Sequence, residues 1–224
     1  MRPIVLPVIH FAEKARAFHN AAVAFDAGCD GVWLISMDGR DSLLEPAALE
    51  IKAAWPTKQV GINYLTLPAV EAIRRNVAAG LDMTWADNAR VNTTEDDALG
   101  LPIAAELRKY PGHAFFGGVA FKYQAAEPNP GLAAQRAVEF GMIPTTSGEA
   151  TGKAADVEKL KLMRAALGEA PLAIASGITP DNVNLYAPYL THILVATGVS
   201  ASFHDFDYEL LALLMGRLEM GRAA

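Results

Sequence analysis

The chain has 224 residues, 52% of them hydrophobic, and a formal charge of −6. That length supports one large core and lies near the lower end for a (β/α)8 barrel. Lys and Arg are scattered without a basic run, which argues against a nucleic-acid partner. A small anion stays possible, because backbone amides hold one with little net positive charge. No apolar run approaches the roughly 20 residues of a membrane-spanning helix, so no membrane insertion is expected. The N-terminal Met1-Arg2-Pro3-Ile4 enters a strand pattern at once, which reads as no signal peptide. One cysteine, Cys29, excludes an intramolecular disulfide framework, and the cytoplasm is the expected compartment.

Short apolar runs at 3–10, 31–37, 59–65, 82–87, 114–122, 142–146, 171–176 and 191–197 read as eight strands. Helical patterns separate them and one more closes the chain. Phe18, Ala21, Ala22 and Phe25 form a stripe of i, i+3, i+4, i+7 spacing. Cys29 lies where that helix hands over to the second strand, a buried position at the bottom of a barrel. Val157, Leu160, Met163 and Leu167 make a second stripe with Asp156 as N-cap. Thr179-Pro180-Asp181 reads as a helix start, and Asp207 as the cap of an apolar last helix. Strict alternation with short connections predicts a single (β/α)8 barrel over 1–224, and the Ser/Thr/Gly turns of its last third, described below, make it ribulose-phosphate-binding-barrel-like. The rival is a doubly wound open sheet, weakened because no Gly-x-Gly-x-x-Gly follows the first strand.

Chemistry in such barrels collects at the C-terminal ends of the strands. Those ends carry His10, Asp38, Asn63, Asp87 with Asn88, Lys122 and Glu149. His10 reads as a general acid or base, or as a histidine merely capping the rim. Asp38 reads as a turn aspartate in Met37-Asp38-Gly39-Arg40, or as a base or ribose acceptor. Asp87 offers a base, a metal ligand or half of an ion pair. Lys122 follows the Gly-rich run Gly117-Gly118-Val119-Ala120-Phe121 and reads as phosphate ligand, nucleophile or base, against a snorkelling lysine. Trp85 reads as core, with stacking on a base as the other possibility.

The last third repeats a Ser/Thr/Gly turn after successive apolar runs: Thr145-Thr146-Ser147-Gly148-Glu149, then Ser176-Gly177-Ile178-Thr179, then Ala196-Thr197-Gly198. Exposed amides near Gly, with Ser and Thr hydroxyls, bind anions, and the loops after strands 7 and 8 are where phosphate usually sits. Thr146, Ser147, Gly148, Glu149, Ser176, Gly177, Thr197 and Gly198 are therefore the expected ligand contacts, with Asn63 added from the third strand.

Residues 145–156 and 175–183, with Val60-Gly61-Ile62-Asn63-Tyr64-Leu65, Phe121-Lys122 and Val8-Ile9-His10-Phe11, resemble the BtpA family of phosphate-binding-type barrels. The similarity is strongest over 142–183. It implies the barrel and the phosphate site, and either an enzyme or an assembly role such as the photosystem I biogenesis that gave the family its label. The chain departs from that family at Ala175, at Ala196-Thr197-Gly198 and throughout the fourth strand, Met83-Thr84-Trp85-Ala86-Asp87-Asn88.

These readings converge on an isomerase or lyase acting on a small phosphorylated metabolite, a phosphosugar or mononucleotide-like compound. Lys122, Asp87, His10 and Asp38 are its candidate catalytic groups. No cofactor is required, although Mg²⁺ held by Asp38, Asp87 and Glu149 is a possible addition. A non-catalytic ligand-sensing or assembly protein is the alternative, and the apolar last helix suits a homo-oligomer contact.

Overall fold

A computed structural model describes residues 2–94, 97–150 and 152–221; Thr151, part of the sixth-strand turn, lies outside them. The elements alternate throughout: β1 (Ile4–His10), α1 (Lys14–Asp26), β2 (Gly31–Ile35), α2 (Leu44–Ala54), β3 (Gln59–Asn63), α3 (Ala69–Ala78), β4 (Met83–Ala86) and α4 (Leu101–Leu107), then β5 (Ala114–Gly118), α5 (Pro130–Glu139), β6 (Ile143–Thr146), α6 (Val157–Leu167), β7 (Ala173–Ala175), α7 (Val183–Tyr186), β8 (His192–Val195) and α8 (Tyr208–Met220). All neighbouring strands pair in parallel, and β8 closes on β1 through Ile4 opposite His192 and Pro7 opposite Val195. The sheet is therefore a closed (β/α)8 barrel, not an open one.

Two apolar clusters build it. The larger lies between the sheet and the helices, where every other strand residue meets the helical stripes. The smaller fills the barrel itself. Trp33, Trp85, Phe116 and Met83 supply bulk there, and Ala173 and Ala175 on the far wall leave room for it. Trp33 meets Phe116 edge-on at 5.2 Å and Trp85 at 6.0 Å, so the tube is packed through its middle, with a cavity above Trp85.

Several boundaries differ from the apolar runs. The fifth run continues to Lys122, yet β5 stops at Gly118, and Ala120 and Tyr123 take positive φ values of 47° and 63°. Lys122 therefore lies on a tight loop that turns back over the barrel instead of ending a strand. The Thr179 helix start is also displaced. Asn182 Oδ1 accepts from the Thr179 amide at 2.8 Å, forming a turn, and α7 begins only at Val183. The Asp156 and Asp207 caps form as expected, accepting from the amides of Glu158 and Leu210. Cys29 is buried at the bottom, and burial pushes its thiol up to about 12. α8 packs Leu211, Leu214, Met215 and Leu218 inward and leaves Tyr208, Leu213 and Met220 exposed. Among the described residues no helix is long and apolar enough to cross a membrane.

Candidate active site

A cavity of about 210 Å³ opens at the C-terminal mouth of the barrel. Its lining includes His10, Asp87, Lys122, Ser176 and Thr197, from the ends of β1, β4, β5, β7 and β8. The packed interior, through Val8, Ile35, Trp85 and Leu194, forms an apolar floor beneath them.

Asp87 is set by its neighbours on both sides. A Cβ on Gly118 would lie 2.0 Å from the Asp87 carbonyl oxygen, so only glycine lets the loop after β4 close against β5. Gln124 Nε2 donates to that carbonyl oxygen at 2.9 Å. Asn63 Nδ2 donates to Asp87 Oδ1 at 3.0 Å and fixes the carboxylate. Burial raises the Asp87 carboxyl above its ordinary range; the Asn63 bond and the Lys122 charge hold it back in part.

Lys122 is delivered by its loop. Its amide donates to Ser147 Oγ at 2.8 Å, and its ammonium sits 3.5 Å from Ser176 Oγ and 5.5 Å from the Phe121 ring centre. Ser176 holds a positive φ of 82°, a conformation that costs energy for a residue with a Cβ and recurs at binding sites.

His10 is clamped by the loop after β8. Its Nδ1 lies 3.0 Å from the Phe203 carbonyl oxygen. A carbonyl only accepts, so Nδ1 carries the proton and Nε2 keeps a lone pair in the neutral ring. The Phe203 ring stacks on the imidazole at 4.3 Å and 20°. His204 Nδ1 donates to the His10 carbonyl oxygen, and Asn20, buried on α1, donates to His204 and accepts from the Phe206 amide. Burial lowers the His10 pKa, so the ring is neutral at neutral pH.

The other expected residues fall into three groups. Asp38 is exposed and bound to Ser36 Oγ and Arg40 Nε at 2.7 Å each, away from the cavity lining. Thr146 and Ser147 are buried braces: Thr146 Oγ1 donates to the Ala120 carbonyl oxygen, and Ser147 Oγ donates to that of Gly148. Gly148 lines a neighbouring cavity with Glu149 and Lys159. Gly177, at φ 75°, lies where a Cβ would stand 2.4 Å from the Lys153 carbonyl oxygen. The loop after β6 thus demands its lack of a side chain. Gly198 is equally close to Ile178. Asp38, Asp87 and Glu149 are not brought together, and the described residues contain no cluster of three His, Cys, Asp or Glu that could hold a metal ion.

Sequence reasoning missed Phe203, Asn20 and His204. The only available signal was a lone Asn inside the apolar stripe of α1.

No protein-family profile matches the chain, and no curated protein does. Its similarity to solved structures defines the class as a (β/α)8 barrel. The native KDPGal structure is 14% identical, with a TM-score of 0.73, over 98% of this chain and 96% of that one. Phosphoribosyl anthranilate isomerase from Thermus thermophilus is 18% identical, with a TM-score of 0.69, over 98% and 99%. A 3-hexulose-6-phosphate synthase is 12% identical, with a TM-score of 0.71, over 97% and 99%.

Proposed function

We propose that this barrel is an isomerase- or lyase-type enzyme that moves a proton on a small phosphorylated metabolite. One observation carries the reading: His10, Asp87 and Lys122, from three separate strand ends, converge on one cavity beside the Ser176 and Thr197 loops. Burial moves the carboxyl of Asp87 up and the imidazole of His10 down, toward each other. Two groups so placed exchange protons with a substrate most readily. His10 Nε2 is the base, Asp87 the second proton carrier, and the Lys122 ammonium stabilises negative charge as it develops on a substrate oxygen. Two of the similar barrels carry a phosphorylated compound in their names, which supports a phosphorylated ligand, and the loops after the seventh and eighth strands are where such barrels usually hold phosphate. The BtpA-like stretch over 142–183 supports the same placement.

This chemistry needs no cofactor. If Mg²⁺ takes part, Asp87 is the cavity carboxylate that meets it, and EDTA then abolishes turnover. We place the enzyme in the cytoplasm, assembled through the exposed apolar face of α8. That face also favours a second reading, a non-catalytic assembly protein.

The test is a thermal-shift panel of pentose phosphates, nucleoside monophosphates and phosphoribosyl compounds. A ligand at about 100 times its Kd adds about 2.7 kcal/mol. Thr197→Glu puts a carboxylate at the exposed rim and should abolish the shift. It is a cleaner probe than any substitution at Gly177, which would break the loops by itself. Lys122→Met and Asp87→Asn should remove turnover while leaving a folded protein. Binding without turnover in the unaltered protein would sink the enzyme reading and leave the assembly one.

A further inference from the structure

The cavity is divided by the order of the strands around the barrel. Asp87, Lys122, Ser176 and Thr197 come from β4, β5, β7 and β8 and make one polar sector. Met37 and Leu65 lie on the loops after β2 and β3, and Phe203, from the loop after β8, reaches across to stack on His10 at the end of β1, so the three make the sector over β1–β3. These three are 56%, 41% and 51% exposed, yet all line the same cavity. Isolated exposed apolar side chains need no explanation, but a set from separate loops converging on one cavity marks a binding surface.

We propose that the substrate carries an aromatic or heteroaromatic ring, seated in the Met37–Leu65–Phe203 sector, with its anionic end toward Lys122. The anionic half of this assignment rests on the proposed phosphate function; the ring half stands on the lining alone. A bare phosphosugar fits poorly, since each hydroxyl turned toward Met37, Leu65 and Phe203 would lose its water without gaining a partner. A flat ring loses nothing there and gains stacking. His10 covers one side of Phe203, and half of its surface is left toward solvent and the cavity. Trp85 lies in the floor and adds an aromatic surface beneath the sector. Size agrees, because an apolar cavity of about 150 Å³ holds a benzene. The 210 Å³ here takes one ring with a short polar substituent.

Isothermal titration of the whole chain with phenyl phosphate, ribose 5-phosphate, inorganic phosphate and phenol tests this. Phenyl phosphate should bind at least tenfold tighter than ribose 5-phosphate. Met37→Ser and Leu65→Ser should each weaken phenyl phosphate about two- to tenfold and leave ribose 5-phosphate unchanged. Ribose 5-phosphate binding as tightly as phenyl phosphate overturns the inference while the phosphate reading survives. So does an equal loss of both ligands in the two variants. Phenol binding without any inorganic phosphate binding supports the ring sector and removes the phosphate reading. No binding of either aryl compound overturns the inference outright.

Discussion

Replacing Asn63 by Ala isolates the tuning of Asp87. Asn63 is 1% exposed and gives Asp87 Oδ1 its side-chain donor at 3.0 Å. A hydrogen bond to a charged group contributes about 1.5–3 kcal/mol, and one between neutral groups about 0.5–1.5 kcal/mol. The cost of Asn63→Ala should therefore be about 1–1.5 kcal/mol larger where Asp87 is ionised than where it is protonated. For a chain of this size each kcal/mol shifts Tm by about 2–4 °C. The sign follows from burial. The folded carboxyl sits above its ordinary 3.8, so the fold holds that proton more tightly than the unfolded chain does. Stability from this group is complete below the unfolded value and is lost as pH rises through the folded one. Asn63 donates to the charged form and limits that loss, so its removal hurts most at high pH. Urea denaturation at about pH 8 and about pH 4 measures the difference. Asp87→Asn should abolish it, because no charge then remains to be served, and should itself stabilise the fold at pH 8. Equal losses at both pH values, or a larger loss at pH 4, would refute the tuning.

Three further outcomes are expected. His10→Gln should lower kcat/KM about 10²- to 10⁴-fold and remove the acid limb of the pH–rate profile. In the unaltered enzyme that limb should fall below the ordinary histidine value, since burial lowers the His10 pKa. His192, half-buried at the bottom of the barrel against Phe116, is pushed from 6.5 to about 4. Its stability contribution is present above 6.5 and lost as pH falls through about 4, and His192→Gln should flatten thermal stability across that window. Gly118→Ala puts a Cβ 2.0 Å from the Asp87 carbonyl oxygen. Activity should collapse more than stability does, and a variant with wild-type turnover would show that Asp87 need not stay where it is.

What could be read in the sequence tracks how local the physics is. The barrel was legible because alternation of short apolar runs with helical stripes needs no knowledge of distant contacts; the closure of β8 on β1, which separates it from an open doubly wound sheet, is seen in the structure. His10, Asp87 and Lys122 were legible as polar residues ending apolar runs, and all three line the mouth. Asp38 ends such a run too, but Ser36 and Arg40, within two residues of it, capture its carboxylate; the turn composition around it carried that alternative. The ring of apolar rim residues was not legible. Met37, Leu65 and Phe121 look like strand continuation, and only the observed ends at Ile35, Asn63 and Gly118 turn them into cavity and loop residues. The loop glycines have a structural demand that the sequence did not show. Gly177 signals close backbone approach, yet what approaches is the Lys153 carbonyl oxygen from the next loop. Phe203 lies 193 residues from His10, so no pattern in the chain could reveal that one side chain's tautomer is set by the other's carbonyl. The part of the site that decides substrate is thus written in contacts between loops. For that reason variants of rim residues, which keep the barrel and its three titratable groups intact, are the informative ones.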